Sequence, residues 1–460
     1  MDKTNAVIAR QEAIHAHNAH PKNRYNQRMS HTQTTPPPTP RTYCVGGAVR
    51  DALMGLPAND ADYVVVGSTP EAMLAQGYTP VGKDFPVFLH PITHDEYALA
   101  RTERKTAQGY AGFAVHFAPD VTLEEDLARR DLTINAMARE VLPNGTLAEL
   151  IDPYHGQADI QNKILRHVSP AFAEDPVRIL RLARFAARWA DFSVAPETMN
   201  LMRAMVDNGE TRALVPERVW TEIARGLMEV TPSRMFVILR ECGLLAQWLP
   251  EVNALFGVPQ RADYHPEIDT GIHVMMVIDY AAKLNLNLES RYAALCHDLG
   301  KGNTPAEILP RHVGHESRGV PLAKALSERL KVPRACADYA RLLTHEHTNF
   351  YMLPELRPST VLNIIKRCDG LRRPERFRDL LNASLADSRG RGGDFSNRET
   401  PWYDAWLMLL DNLLRLDNGA IALAHENDPS NIPNAILEAQ LRAITPVLQN
   451  WQAMIRTANT

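Results

Sequence analysis

The spacing of apolar positions divides the chain into stretches of different character. Residues 1–41 are polar, rich in Asn, His, Gln and Thr, and end in T-T-P-P-P-T-P-R. Such a stretch cannot bury a core, which predicts a disordered or loosely attached arm. From Tyr43 to about Pro153, short apolar bursts alternate with turns and helical patches. Strands are predicted at 43–45, 62–66, 85–90, 96–101 and near 148–151, an α+β head with a small mixed sheet. Within it, 122–140 carries an apolar stripe of Leu123, Leu127, Ile134 and Met137, with a possible helix interruption at 132–134. The polar, glycine-punctuated run 102–112 predicts a loop near a site. From Ala158 onward the pattern is helical almost throughout, and Trp402, Trp406 and Trp451 fall at core positions of a helical tail. The expected organisation is an arm (1–41), a head (42–157), a helical neck and body (158–262), a histidine-rich helical domain (263–395) and a helical tail (396–460).

Chemistry concentrates first in 43–67, Y-C-V-G-G-A-V-R-D-A-L-M-G-L-P-A-N-D-A-D-Y-V-V-V-G. It predicts strand, Gly46-Gly47 turn, short helix and second strand. Asp60 and Asp62 are two apart on that strand, so their carboxylates share a face with Cα atoms about 6.5 Å apart. Paired hard oxygen donors suit Mg²⁺. The Gly47 helix start and Arg50 suit a phosphate. Glu96 opens a neighbouring strand and is either a third carboxylate or an exposed strand residue.

A second concentration is E-D-P-V-R-I-L-R-L-A-R-F at 174–185. Asp175, Arg178, Arg181, Arg184 and Arg188 recur every three or four residues, so they share one helical face, as expected where an anion or nucleic acid is bound. Asp175 before Pro176 also reads as a helix cap. C and A both present an exocyclic amino donor beside an unprotonated ring nitrogen, whereas G and U present a carbonyl beside a ring N–H. A carboxylate next to a guanidinium complements the first pattern and opposes the second, and each unmatched buried partner costs about 1–3 kcal/mol.

The third is L-C-H-D-L-G-K-G at 295–302, where His297 and Asp298 end a helix that Gly300 is expected to stop. Imidazole with carboxylate suits a divalent transition metal; a purely structural hydrogen bond is the alternative.

Composition adds limits. The 460 residues allow three or more domains, and the five cysteines are scattered without C-x-x-C, which predicts reduced thiols in a cytoplasm. A net charge of −4 means that any nucleic-acid surface must be local. No apolar run reaches membrane-spanning length.

The words G-G-x-x-R-D and D-x-D resemble the nucleotidyltransferase signature of the DNA polymerase β superfamily. C-V-G-G-A-V-R-D and D-A-D-Y-V-V-V-G are similar to those of bacterial CCA-adding enzymes and related poly(A) polymerases. The resemblance implies a polymerase-β-like head that transfers nucleotides from CTP and ATP to tRNA with Mg²⁺ at Asp60 and Asp62. R-R-D-L-T-I-N-A at 129–136 resembles that family's ribose and triphosphate contact, with Arg130 on phosphate and Asp131 orienting the sugar or that arginine. E-D-x-x-R resembles the class II base-selection motif, with Asp175 and Arg178 reading the base and Arg181 bracing it. His273, His297, Asp298 and Asp387, with His315 and His347 as further candidates, resemble an HD phosphohydrolase site. That implies a divalent transition metal (Ni²⁺, Mn²⁺ or similar) and phosphatase or phosphodiesterase activity. A poly(A) polymerase and a non-catalytic RNA-binding protein are the rival expectations; monomer and homodimer both stay open.

Overall fold

The structure, a computed structural model, describes residues 39–57, 61–81, 87–105 and 113–458. It forms two compact units, divided between Asp175 and Pro176.

The first unit carries the strands β1 (Arg41–Val45), β2 (Asp62–Val66), β3 (Thr79–Pro80), β4 (Val87–Leu89), β5 (Glu96–Leu99), β6 (Thr102–Lys105), β7 (Phe113–His116), β8 (Ala138–Val141) and β9 (Leu147–Ile151), besides the two-residue strand Ile164–Leu165. Seven form a mixed sheet in the order β3-β4-β5-β2-β1-β8-β9, and β6 pairs with β7 separately. Within the mixed sheet β2 and β5 run parallel, while β1–β2, β1–β8, β3–β4, β4–β5 and β8–β9 are antiparallel. The two-residue period sends Tyr43, Val45, Val64 and Ala138 into one core with Leu127 and Ala136. Cys44 turns the other way, onto Ala48, Val49 and Met137.

The interruption expected within 122–140 is real, and two other local expectations change. The helix Leu123–Ala128, closed by a Thr122/Glu125 capping box, gives way to a 3-10 turn Thr133–Asn135 and then to β8. Buried Asp131 explains the break: its Oδ1 accepts from Leu132 N (2.9 Å) and Asn135 Nδ2 (3.0 Å), local bonds that compete with a helix. The 102–112 run begins as strand β6, and its remainder (106–112) lies outside the described residues, as does Phe85. Asp175 is not the cap of the next helix, Val177–Arg188. The cap position falls one residue later, on Pro176, which has no side-chain acceptor.

The second unit is helical. Phe350, Phe377 and Trp406 meet edge-on at centroid distances of 5.5–5.8 Å, and Trp402 and Trp451 are buried in the same core. Gly300 does not end a helix in a left-handed conformation. It lies in a 3-10 turn, Leu299–Asn303, where a Cβ would approach His315 O to 1.9 Å; only glycine allows this turn to press on the next helix, His315–Arg329. No helix among the described residues is long and apolar enough to cross a membrane.

Candidate active sites

In the head, Asp62 is the register partner of Glu96 across the parallel β2–β5 pair, which aims both side chains to one face. Asp62 is exposed and Glu96 half-buried. The next register pair, Tyr63 and Tyr97, stacks on the opposite face at 4.5 Å and 16°, which locks the two strands side by side. Asp60 lies outside the described residues.

The Gly46 turn needs glycine for its φ of +67°; an added Cβ would also meet the movable end of Arg130, Nη1, at 2.9 Å. Its N–H is already taken by Met137 O (3.2 Å). Arg130 is therefore drawn against the turn, while its Nη2 lies 3.2 Å from Asp126 Oδ2 and its buried Nε has no hydrogen-bond partner among the described residues. Asp126 is wholly buried; its Oδ1 also meets Arg129 Nη2 at 2.7 Å and accepts from Arg101 N at 3.3 Å. Burial alone would raise its pKa, but Arg129 and Arg130 outweigh burial and hold it below the ordinary value. Arg50 is buried as well. It donates to Asn135 Oδ1 (2.5 Å) and Asp51 Oδ1 (2.8 Å), and Asn135 in turn holds Asp131. Gly47 starts the adjoining short helix, Gly47–Leu53.

The arginine stripe divides. Asp175 ends a 3-10 turn (Pro170–Glu174) in the first unit. In the second unit Arg178 is buried and Arg181 half-exposed. Arg184 is committed to Glu222 (2.7 Å) and Glu229 (3.5 Å), and Arg188 lies over the Trp189 ring at 5.2 Å. Arg184 is thus internal structure, because Glu222 and Glu229 from neighbouring segments reach it.

The second unit brings the predicted metal ligands together. His273 Nε2 and His297 Nε2 lie 3.0 and 3.6 Å from Asp387 Oδ1, and 3.7 and 3.3 Å from Asp298 Oδ2. The other oxygen, Asp298 Oδ1, faces His315 Nε2 (3.4 Å) and His347 Nε2 (3.5 Å). Lys301 Nζ sits 2.7 Å from Asp298 Oδ2, and Tyr351 donates to Asp387 Oδ2. Burial disfavours charge on His297, but Asp298 and Asp387 prevail and raise it to about 10. Both carboxyls are held well below their usual range: against the upward push of burial, His297 and Lys301 act on Asp298, and His297 and Arg391 on Asp387. Burial pushes His347 down and Tyr351 up. His297 Nε2 and Asp298 Oδ1 are buried without a hydrogen-bond partner among the described residues. Convergent, unsatisfied imidazole and carboxylate donors are the set a divalent cation takes. Glu267, Lys301, Tyr351 and Asp126 escaped the sequence reading. Lys301 had a signal, three residues beyond Asp298 in the same word; Glu267 and Tyr351 had none.

A nucleotide-handling head joined to a helical unit with an HD-type centre defines a nucleotidyltransferase with an attached hydrolase-like domain. Family models agree: the Poly A polymerase head domain matches 42–166, the family described as probable RNA and SrmB-binding site of polymerase A matches 191–256, and the HD domain matches 270–373. A Multifunctional CCA protein of Burkholderia cenocepacia is 61% identical over 407 residues, 88% of this chain and 98% of its own length. The Thermotoga maritima CCA-adding enzyme, solved with tRNA, matches with a TM-score of 0.59 at 20% identity over 90% of this chain and 92% of its own. The Bacillus stearothermophilus CCA-adding enzyme, solved with CTP, matches at 0.56 and 23% over 91% and 94%. The chain belongs to the family of multifunctional CCA proteins.

Proposed function

We propose that this enzyme completes tRNA by adding C, C and A to its 3′ end from CTP and ATP, with release of pyrophosphate. The observation that carries the reading is the Asp62–Glu96 register on one open face of the head sheet, since binding alone needs no paired carboxylates. Asp60 and Asp62, with Glu96 beside Asp62, would hold Mg²⁺, which would lower the pKa of the attacking hydroxyl and neutralise developing charge. Arg130, whose guanidinium is held by Asp126, binds a triphosphate oxygen. Gly47 lets the backbone approach the same anion. Arg50, held by Asn135 and Asp51, stiffens the cradle and adds positive charge to it. Asp175 and Arg178 select C and A over G and U, with Arg181 bracing the base. The proposed domains are a head (42–157), a neck and body (158–262), an HD domain (263–395) and a tail (396–460).

The test is incorporation of labelled CTP and ATP into tRNA lacking its 3′ end, each nucleotide alone and then together. Two C additions, one A and a stop are expected. A long A tract from ATP alone would make the protein a poly(A) polymerase, and no incorporation would leave the head a binding module.

The second unit supports a further activity, hydrolysis of phosphomonoesters or 2′,3′-cyclic phosphodiesters. His273, His297, Asp298 and Asp387 would hold a divalent transition metal, which supplies a Lewis acid and a nucleophilic water at neutral pH. His315 and His347 flank the free oxygen of Asp298 and extend the ligand set.

A further inference from the structure

We propose that the cavity lined by Arg203 and Arg234 in the second unit binds a backbone phosphate of the RNA substrate. This rests on the tRNA reading given above and adds a place where that RNA is held.

The cavity measures about 400 Å³. Arg203 and Asn200 come to it from the helix Pro196–Asp207, and Arg234 and Glu241 from the helix Ser233–Glu241. Buried Met199 and Ile238 give it apolar walls. Both arginines are fixed by neutral groups. Arg203 donates from Nε to Glu241 O (3.1 Å) and from Nη1 to Asn200 Oδ1 (3.3 Å). Arg234 donates from Nη2 to Phe192 O (3.1 Å). Amide and carbonyl oxygens hold a guanidinium in place without cancelling its charge.

Other arginines of this unit are matched by carboxylates: Arg184 by Glu222, Arg329 by Glu251 and Arg391 by Asp387. Arg203 and Arg234 form no such pair among the described residues. The acids nearby are engaged differently. Asp279 accepts from Ser233 N (2.9 Å) and Oγ (2.6 Å), which closes the start of the helix carrying Arg234. Glu241 meets Arg203 through its main-chain carbonyl. Two uncompensated forks therefore share one cavity, with Arg203 Nη2 and Arg234 Nη1 left without a partner among the described residues. A planar guanidinium fork matches phosphate oxygens. Apolar walls strengthen that attraction by lowering the local dielectric, and tethering Arg203 at two points reduces the entropy lost on binding.

RNA is the phosphate source that the surroundings favour. The chain carries a net charge of −4, so a polyanion needs local cations to land on. Both arginines lie within 191–256, the stretch that matches the RNA-binding family.

The test is binding of tRNA lacking its 3′ end to the full-length chain across a range of KCl concentrations, beside melting of each variant. Changing both residues, Arg203→Gln and Arg234→Gln, keeps polar side chains and removes the two charges. At about 0.1 M salt the double variant is expected to bind tRNA about 10-fold more weakly, with the slope of log K against log salt flattened by about 1. The KM for tRNA should rise to match, while kcat and the KM for CTP stay put. Arg334→Gln, on an almost fully exposed side chain of another helix, should change none of these. Unchanged tRNA affinity in the double variant overturns the proposal. Weaker binding with a wild-type salt slope also overturns it, because it assigns the arginines to scaffolding. Inorganic phosphate that binds the wild type but not the double variant, with tRNA affinity equal in both, makes the cavity a small-anion site and overturns the RNA assignment. Should the double variant fail to fold, Arg203→Gln alone decides, since that side chain is exposed; a wild-type salt slope then sinks the proposal. A wild-type chain that binds no tRNA overturns the substrate reading and the proposal together. Arginine-dependent tRNA binding without nucleotide addition supports the proposal and overturns the addition reading alone.

Discussion

Asp62 and Glu96 stand side by side because the tyrosines that follow them, Tyr63 and Tyr97, stack on the opposite face of the same two strands. The pairing predicts that Glu96 is a functional carboxylate. Glu96→Gln keeps the strand and removes the charge, so CTP incorporation should fall by about 100-fold or more, the scale of losing one preorganised electrostatic group. Asp62→Asn should fall at least as far. Full activity of Glu96→Gln would return that residue to an ordinary strand position. Breaking the stack with Tyr97→Ala should reduce incorporation through loosened register, with wild-type activity arguing that the strands hold register without it.

Asp126 gives a prediction with a pH signature. The carboxyl is buried against Arg129 and Arg130, and its pKa lies below the ordinary 3.8. A depressed folded value means that its stabilisation is complete above the unfolded value and is lost as pH falls through the folded one. Asp126→Asn should therefore cost roughly 3 kcal/mol at pH 7, as expected for a broken buried pair. In urea unfolding the gap to wild type should hold down to about pH 4 and close in stronger acid. A gap independent of pH would mean that the arginines do not hold an ionised carboxylate. The KM for CTP should also rise, since Arg130 loses its support.

Much of this was legible in the chain. The strand–Gly-Gly–helix–strand word, the α+β head and the His-Asp pair depend on short-range patterns, where period and residue type carry the signal. What was not legible depends on partners far away in sequence. Arg184 looked identical to Arg178 in the stripe, yet Glu222, 38 residues on, claims it. Arg50 looked like a free anion fork, but Asn135, 85 residues on, accepts from it. The 122–140 stripe left its helix break open for a different reason. Leu132, Ile134, Met137 and Ala138 are all fully buried, so apolar spacing there reported enclosure on every side rather than one helix face.

The divided stripe predicts divided phenotypes. Arg178→Ala and Asp175→Ala should relax base choice, read as UTP or GTP incorporation competing with CTP. Arg184→Met should lower stability by roughly 3 kcal/mol by leaving buried Glu222 with only its longer contact to Arg225 (3.7 Å), yet leave base choice unchanged. Relaxed selectivity in Arg184→Met, or wild-type selectivity in Asp175→Ala, would move nucleotide selection away from the upper half of the helix.

Asp298 is the residue on which the second centre turns, because its two oxygens serve two sets of imidazoles. Oδ2 faces His273 and His297, and Oδ1 faces His315 and His347. Asp298→Asn leaves one oxygen and turns the other acceptor into a donor, which opposes an imidazole lone pair or a cation. Hydrolysis of 2′,3′-cyclic phosphodiesters should be lost, and bound metal should drop when the purified variant is assayed for its ions. CCA addition should persist, since the head carboxylates belong to the other compact unit. The reciprocal variant, Asp62→Asn, should lose CCA addition and keep hydrolysis. Loss of both activities in either variant would mean that the two centres work as one, and that the separation of the chain into two chemistries is wrong.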